Sequence, residues 1–206
     1  MSPQSKTNRC ARAFSPRGLL ALGLLSLPAC DSNDPVGELG TVQAEYEGEW
    51  RYFSDVQQGV LTAPDDPASP EVSRLAVCGW ETEGRGLFDD SNVCFNLRFD
   101  TALLGAGPAT FGIDGAVVVP VQAGIDPTFT PGEAHGPGVR AAWVHTGCYG
   151  QIQEDDVRQQ VTGTLELRVN DATRFAGHLV LDMTGASSGQ CSTSRARADV
   201  EFDLPR

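Results

Sequence analysis

The 206-residue chain carries 27 acidic against 15 basic residues, a formal net charge of −12, with 40% apolar residues and six cysteines. That balance excludes a basic nucleic-acid footprint, while the length suffices for a buried core. Past residue 30, no apolar run reaches the roughly 18 to 20 residues that a membrane-spanning helix needs.

Met1 to Arg17 holds Lys6, Arg9, Arg12 and Arg17 and no carboxylate, and Gly18 to Cys30 follows as a short, mostly apolar stretch. A basic start, about a dozen apolar residues and a small residue at the cut site make a secretory signal, too short to cross a bilayer as a helix. Leu27-Pro28-Ala29-Cys30 resembles the lipobox of bacterial lipoproteins, although Pro28 departs from the small or aliphatic residue usual there. The resemblance covers the first 30 residues. It implies cleavage before Cys30 and diacylglyceryl and acyl chains on that cysteine; the alternative is an ordinary signal peptide with an incidental cysteine. Each buried methylene contributes about 0.8 kcal/mol, so two or three chains hold firmly where one holds marginally.

Three segments are therefore expected: a signal peptide over 1–29, a lipidated cysteine and flexible acidic tether over 30–44, and a folded domain over 45–206. Asp31 to Gln43 is polar and broken by Pro35, Gly37 and Gly40, as a tether would be. Asp31 resembles the inner-membrane retention signal of enteric lipoproteins, a position other bacteria read differently, so inner and outer membrane both stay open. The expected location is the bacterial cell envelope, periplasmic or cell-surface, with the membrane reached through the lipid. Cleavage leaves 11 basic against 27 acidic residues, a net of −16. Such a surface repels anionic lipid and nucleic acid and favours solubility.

From Glu45 onward, Tyr46, Gly48, Trp50 and Tyr52 alternate with charged residues, which predicts one half-buried strand. Pro64, Pro67 and Pro70 then break the chain. Val72 to Trp80 and Val93 to Phe99 read as two strands joined by a Gly- and acid-rich loop. Glycines at 105, 107, 112 and 115 punctuate the next stretch, Ala116 to Val121 forms a short buried run, and Gly124 to Gly138 reads as a long loop. Extended character resumes over Arg140 to Ile152. The last third is clearest: Val161 to Val169, Phe175 to Met183 and Ala196 to Leu204 alternate apolar with polar residues, and Asn170 to Thr173 reverses the chain between the first two. Strict alternation with Gly/Pro turns predicts an all-β domain, an antiparallel sandwich or barrel of about eight short strands.

Apart from Cys10 and Cys30, the cysteines are Cys78, Cys94, Cys148 and Cys191. An even number in an exported chain points to two disulfides, with three pairings possible. We expect Cys78 with Cys94, at a sheet edge, and Cys148 with Cys191. Zinc is the rival, but no Cys-x-x-Cys pair is present.

Each catalytic motif competes with a plainer reading. Gly185-Ala-Ser-Ser-Gly189 matches Gly-x-Ser-x-Gly, yet no histidine follows His178, so a turn of small residues is favoured over a nucleophile elbow. His135, His145 and His178 fall in unrelated segments and read as ordinary histidines, with no metal expected. Among the acidic clusters, Asp89, Asp90 and Asn92 offer the best oxygen donors for calcium, without the spacing of a wrapping loop; solvated turns are the default. Trp50, Trp80 and Trp143, with Tyr52 and Tyr149, could line a sugar-binding face, but core placement is the stronger expectation. The functional expectation is a non-enzymatic binding or structural module of the cell envelope, without cofactor or nucleic-acid partner, its protein or glycan partner open. The alternatives are a carbohydrate-binding module, which requires at least two coplanar exposed aromatics, and a hydrolase assembled from dispersed residues.

Overall fold

The computed structural model describes residues 39–53, 55–62, 72–80, 92–121, 125–147, 153–189 and 191–206, with backbone alone for 58–62. Among them run twelve strands and one helical turn: β1 Gly40–Tyr46, β2 Glu49–Phe53, β3 Asp55–Thr62, β4 Val72–Trp80, β5 Asn92–Asp100, α1 Thr101–Leu104, β6 Ala109–Val119, β7 Thr128–Pro131, β8 Val139–Gly147, β9 Val157–Asn170, β10 Arg174–Gly185, β11 Ser188–Gly189 and β12 Arg195–Pro205. The seven-stranded sheet has the order β2-β1-β12-β10-β9-β6-β7, and the five-stranded sheet the order β11-β8-β5-β4-β3. All pairings are antiparallel except that of β11 with β8. The two sheets pack as a sandwich, the first of the two expected architectures.

Alternation builds the core. Ala196, Ala198, Val200, Phe202 and Leu204 of β12 are buried, as are Leu179, Leu181 and Met183 of β10. They face Val93, Phe95, Leu97 and Phe99 of β5 and Leu75 and Val77 of β4. Phe175 joins the layers: its ring stacks on Phe99 of the opposite sheet at 5.0 Å and on Phe202 of its own at 5.2 Å. Offset ring pairs of this kind add about 0.5–1.5 kcal/mol beyond the area they bury.

Several expectations change. The domain starts before Glu45, since β1 begins at Gly40 and Val42 and Ala44 are fully buried, so the last residues of the expected 30–44 tether are structural. Glu45 to Tyr52 is not one strand but a hairpin, with Glu47 and Gly48 at φ 54° and 84° forming its two-residue turn. Positive φ at both central residues is the type I′ geometry that matches strand twist. Residues 116–119 of the short run at 116–121 are the end of the eleven-residue β6, and the long loop before Gly138 contains the edge strand β7. Gly112 and Gly115, read as punctuation, lie inside β6. A Cβ on Gly112 would sit 2.4 Å from the Ala134 carbonyl, and one on Gly115 2.3 Å from the Phe129 ring. Their bare backbone lets β7 and the following loop lie directly on the strand.

Cys78 and Cys94 are bonded, directly opposite in register with Cα atoms 4.1 Å apart. Their strands β4 and β5 are interior to the five-stranded sheet, so the bond lies on its outer face and not at an edge. Cys191 is also disulfide-bonded and buried, whereas its expected partner Cys148 lies outside the described residues.

Candidate functional site

The hairpin turn decides which way two aromatic side chains point. Tyr46 pairs with Glu49 and Val42 with Phe53, so the core-facing positions of β2 are odd-numbered where those of β1 are even-numbered. Trp50 and Tyr52 consequently face outward, 38% and 69% exposed. The expectation of core placement is overturned for both. Trp143 is 7% exposed, Trp80 is half-buried, and Tyr149 lies outside the described residues.

Trp50 and Tyr52 line a groove of about 350 Å³ that crosses β2, β1, β12 and β10. Register sets the groove's polar groups. One row across the sheet runs Tyr52, Gln43, Arg197, Asp182; the next carries Trp50 opposite Glu45 and Arg195 opposite Thr184. The Arg195 guanidinium lies 5.2 Å over the Trp50 ring and 3.5 Å from the Glu45 carboxylate, and Arg197 Nε lies 3.7 Å from Asp182. Further ion pairs stand along this face. His178 Nε2 meets Asp199 at 2.7 Å, Arg168 pairs with Glu201, and Arg174 grips Asp203 through Nε at 2.6 Å and Nη2 at 2.5 Å. That grip holds the Asp203 carboxyl below the ordinary carboxylate range. The groove thus opens on a surface studded with ion pairs, in a strongly acidic chain.

The Gly-x-Ser-x-Gly segment folds in a way its sequence does not reveal. Ser188 and Gly189 form β11, parallel to His145 and Thr146 of β8. Ser188 Oγ lies 3.2 Å from His145 Nδ1, a serine–histidine contact across 43 positions that chain order could not suggest. Its wiring is structural. Ser188 is 2% exposed, and its hydroxyl donates its single proton to the Val144 carbonyl at 3.1 Å. The Ser188 oxygen is thus buried and turned toward the backbone, where no substrate reaches it for attack. Partial desolvation, and secondarily the Arg74 charge, hold the His145 pKa below the ordinary histidine value. Ser187 Oγ bonds Thr146 Oγ1 at 2.9 Å and accepts the Thr193 amide at 2.9 Å, completing a buried hydroxyl network that ties β11 down.

The other candidates disperse. His135 Nε2 donates to the Val139 carbonyl at 2.8 Å while Nδ1 accepts the Asp114 amide at 3.3 Å, pinning the loop before β8 onto β6. Among the described residues, no three His, Cys, Asp or Glu side chains converge as metal ligands. Asp89 and Asp90 lie outside the described residues, and Asn92 opens β5 opposite Trp80 and Gly147. No helix among the described residues is long and apolar enough to cross a membrane. No family model, no curated protein and no solved structure matches this chain.

Proposed function

We propose that this chain is a lipid-anchored, extracytoplasmic binding module of the bacterial cell envelope, acting without catalysis through the outer face of its seven-stranded sheet. The observation that carries the reading is the outward pair Trp50 and Tyr52 over a groove lined by polar side chains. Large aromatics displayed beside fixed polar groups are how a rigid surface gains contact area at low entropic cost. Export is supported by the basic and apolar segments before Cys30 and by half-cystines at Cys78, Cys94 and Cys191, since such bonds persist in oxidising compartments. A binding rather than hydrolytic role is supported by the burial of Ser188, whose hydroxyl is bonded to the Val144 carbonyl and closed to substrate.

Two measurements test the two halves. Cys30→Ser should abolish incorporation of labelled fatty acid and release the protein from the membrane fraction; unchanged labelling refutes the anchor. Envelope extracts passed over the immobilised chain should leave a partner that Trp50→Ala and Tyr52→Ala fail to retain. Equal retention by both variants would remove this face from consideration.

A further inference from the structure

We infer that the groove at Trp50 and Tyr52 binds an uncharged polysaccharide, pyranose rings lying against the aromatic pair. The inference deepens the binding-module reading above and rests on it. Three features of the groove select this chemistry.

The first is apolar surface of the right form. Trp50 and Tyr52 are two residues apart on one strand, about 6.5–7 Å along its axis, so consecutive rings of a chain can each meet an aromatic. Pyranose rings carry axial C–H groups on one face and hydroxyls around the rim, and they pack by that face on flat π-systems. Arg195, stacked on Trp50, holds the indole in place.

The second is the kind of polar group within reach. Gln43 supplies a carboxamide with both donors and acceptors, Asp182 an acceptor pair, Thr184 a hydroxyl, and Arg195 and Arg197 guanidinium donors. Each sugar hydroxyl both donates and accepts, and planar bidentate groups match vicinal pairs of them. A ligand with only donors or only acceptors would leave half of this set unpaired.

The third is charge. The arginines lining the groove are already matched, Arg195 by Glu45 and Arg197 by Asp182. A uronate or phosphate would compete with those partners and approach a chain of net charge −12. A cationic ligand would find no surplus carboxylate there. Charge complementarity therefore selects a neutral, hydroxyl-rich occupant.

Affinity electrophoresis of the purified chain in mild detergent tests this, through gels containing a soluble neutral glucan, a soluble neutral mannan or polygalacturonate. Expected is retardation by the glucan or the mannan, with Trp50→Ala and Tyr52→Ala each weakening apparent affinity about tenfold or more, as truncating a central aromatic anchor does. Both variants should keep an unfolding midpoint close to the parent's, because the altered side chains are exposed. Retardation by polygalacturonate equal to or stronger than that by the neutral polymers overturns the inference, as does no retardation in any gel, or aromatic variants that migrate like the parent. Should no gel retard the chain while Trp50→Ala still loses an envelope partner in the pulldown, the sugar assignment falls and the binding face stands. Loss of both results removes the face itself.

Discussion

Gln159 offers the sharpest test of how the two sheets are held together. Its side chain leaves β9 of the seven-stranded sheet and meets the backbone of Val144 on β8 of the other, accepting the Val144 amide at 2.8 Å and donating to its carbonyl at 2.7 Å. The carboxamide thus stands in for a neighbouring strand along β8, beside the point where the two-residue β11 pairs with it. Gln159 is 3% exposed, so water does not replace what is removed. Gln159→Leu keeps most of the volume and deletes both bonds. The Val144 carbonyl keeps the Ser188 hydroxyl, but its amide is stranded. A lost bond costs about 0.5–1.5 kcal/mol and a stranded buried donor about 1–3, so the whole change should cost about 2–4 kcal/mol. The assay is urea unfolding without reductant, read as a lower midpoint at unchanged slope, together with a melting temperature lowered by about 5–15 °C. The adjacent Gln160, whose amide reaches Asp114 at the exposed surface, is the control; Gln160→Leu should move stability by no more than about 0.5 kcal/mol. A Gln159→Leu protein as stable as the parent would refute the bridge.

Three further changes probe other parts of the fold. Gly79→Ala should cost about 1–3 kcal/mol in the same unfolding assay, because its Cβ would lie 2.6 Å from Phe53 and 2.7 Å from Val42 in the core; a neutral result would mean that the sheet edge yields freely. Asp100, beside the Arg140 guanidinium at 2.6 Å and capping α1 through the Ala102 and Leu103 amides, has its carboxyl held below the usual value of 3.8. A depressed folded pKa contributes stability above the unfolded value that disappears as pH falls through the folded one. Asp100→Ala should therefore cost about 1–2 kcal/mol at pH 7 and progressively less below about pH 4, and a cost constant down to pH 2 would contradict this. Replacing Cys78 and Cys94 together by serine opens a crosslink with a sequence separation of 16, for an expected loss of about 3 kcal/mol in urea unfolding without reductant; reductant added to the parent, which also opens the Cys191 bond, should cost at least as much.

Much of the architecture was legible because burial on one face imprints alternation on the chain. β9, β10 and β12 read cleanly, as did β4, since each is long and paired on both sides. The same rule misled at the first hairpin. Two residues of turn shift the inward parity from even to odd, while charges and aromatics go on alternating through Glu47 and Gly48 as if nothing had happened. Reading straight through that turn placed Trp50 and Tyr52 in the core, and the candidate site went with them. β6 was shortened for a different reason: glycines within it are required by the segment lying over them, a constraint that local propensity does not carry. The Ser188–His145 contact depends on parallel pairing between segments 43 positions apart, and only the assembled topology brings them together.

β12 has one more consequence, for the order of events in biosynthesis. Among the described residues it is the sole link in the hydrogen-bonded ladder between the β1–β2 hairpin and the four strands beyond it, and its Arg195, with Thr193 just ahead of the strand, is tied to Glu45 across about 150 positions of sequence. As the chain is made from its amino end, the larger layer stays in two unconnected pieces until β12, the last of the described strands, has appeared and paired on both sides.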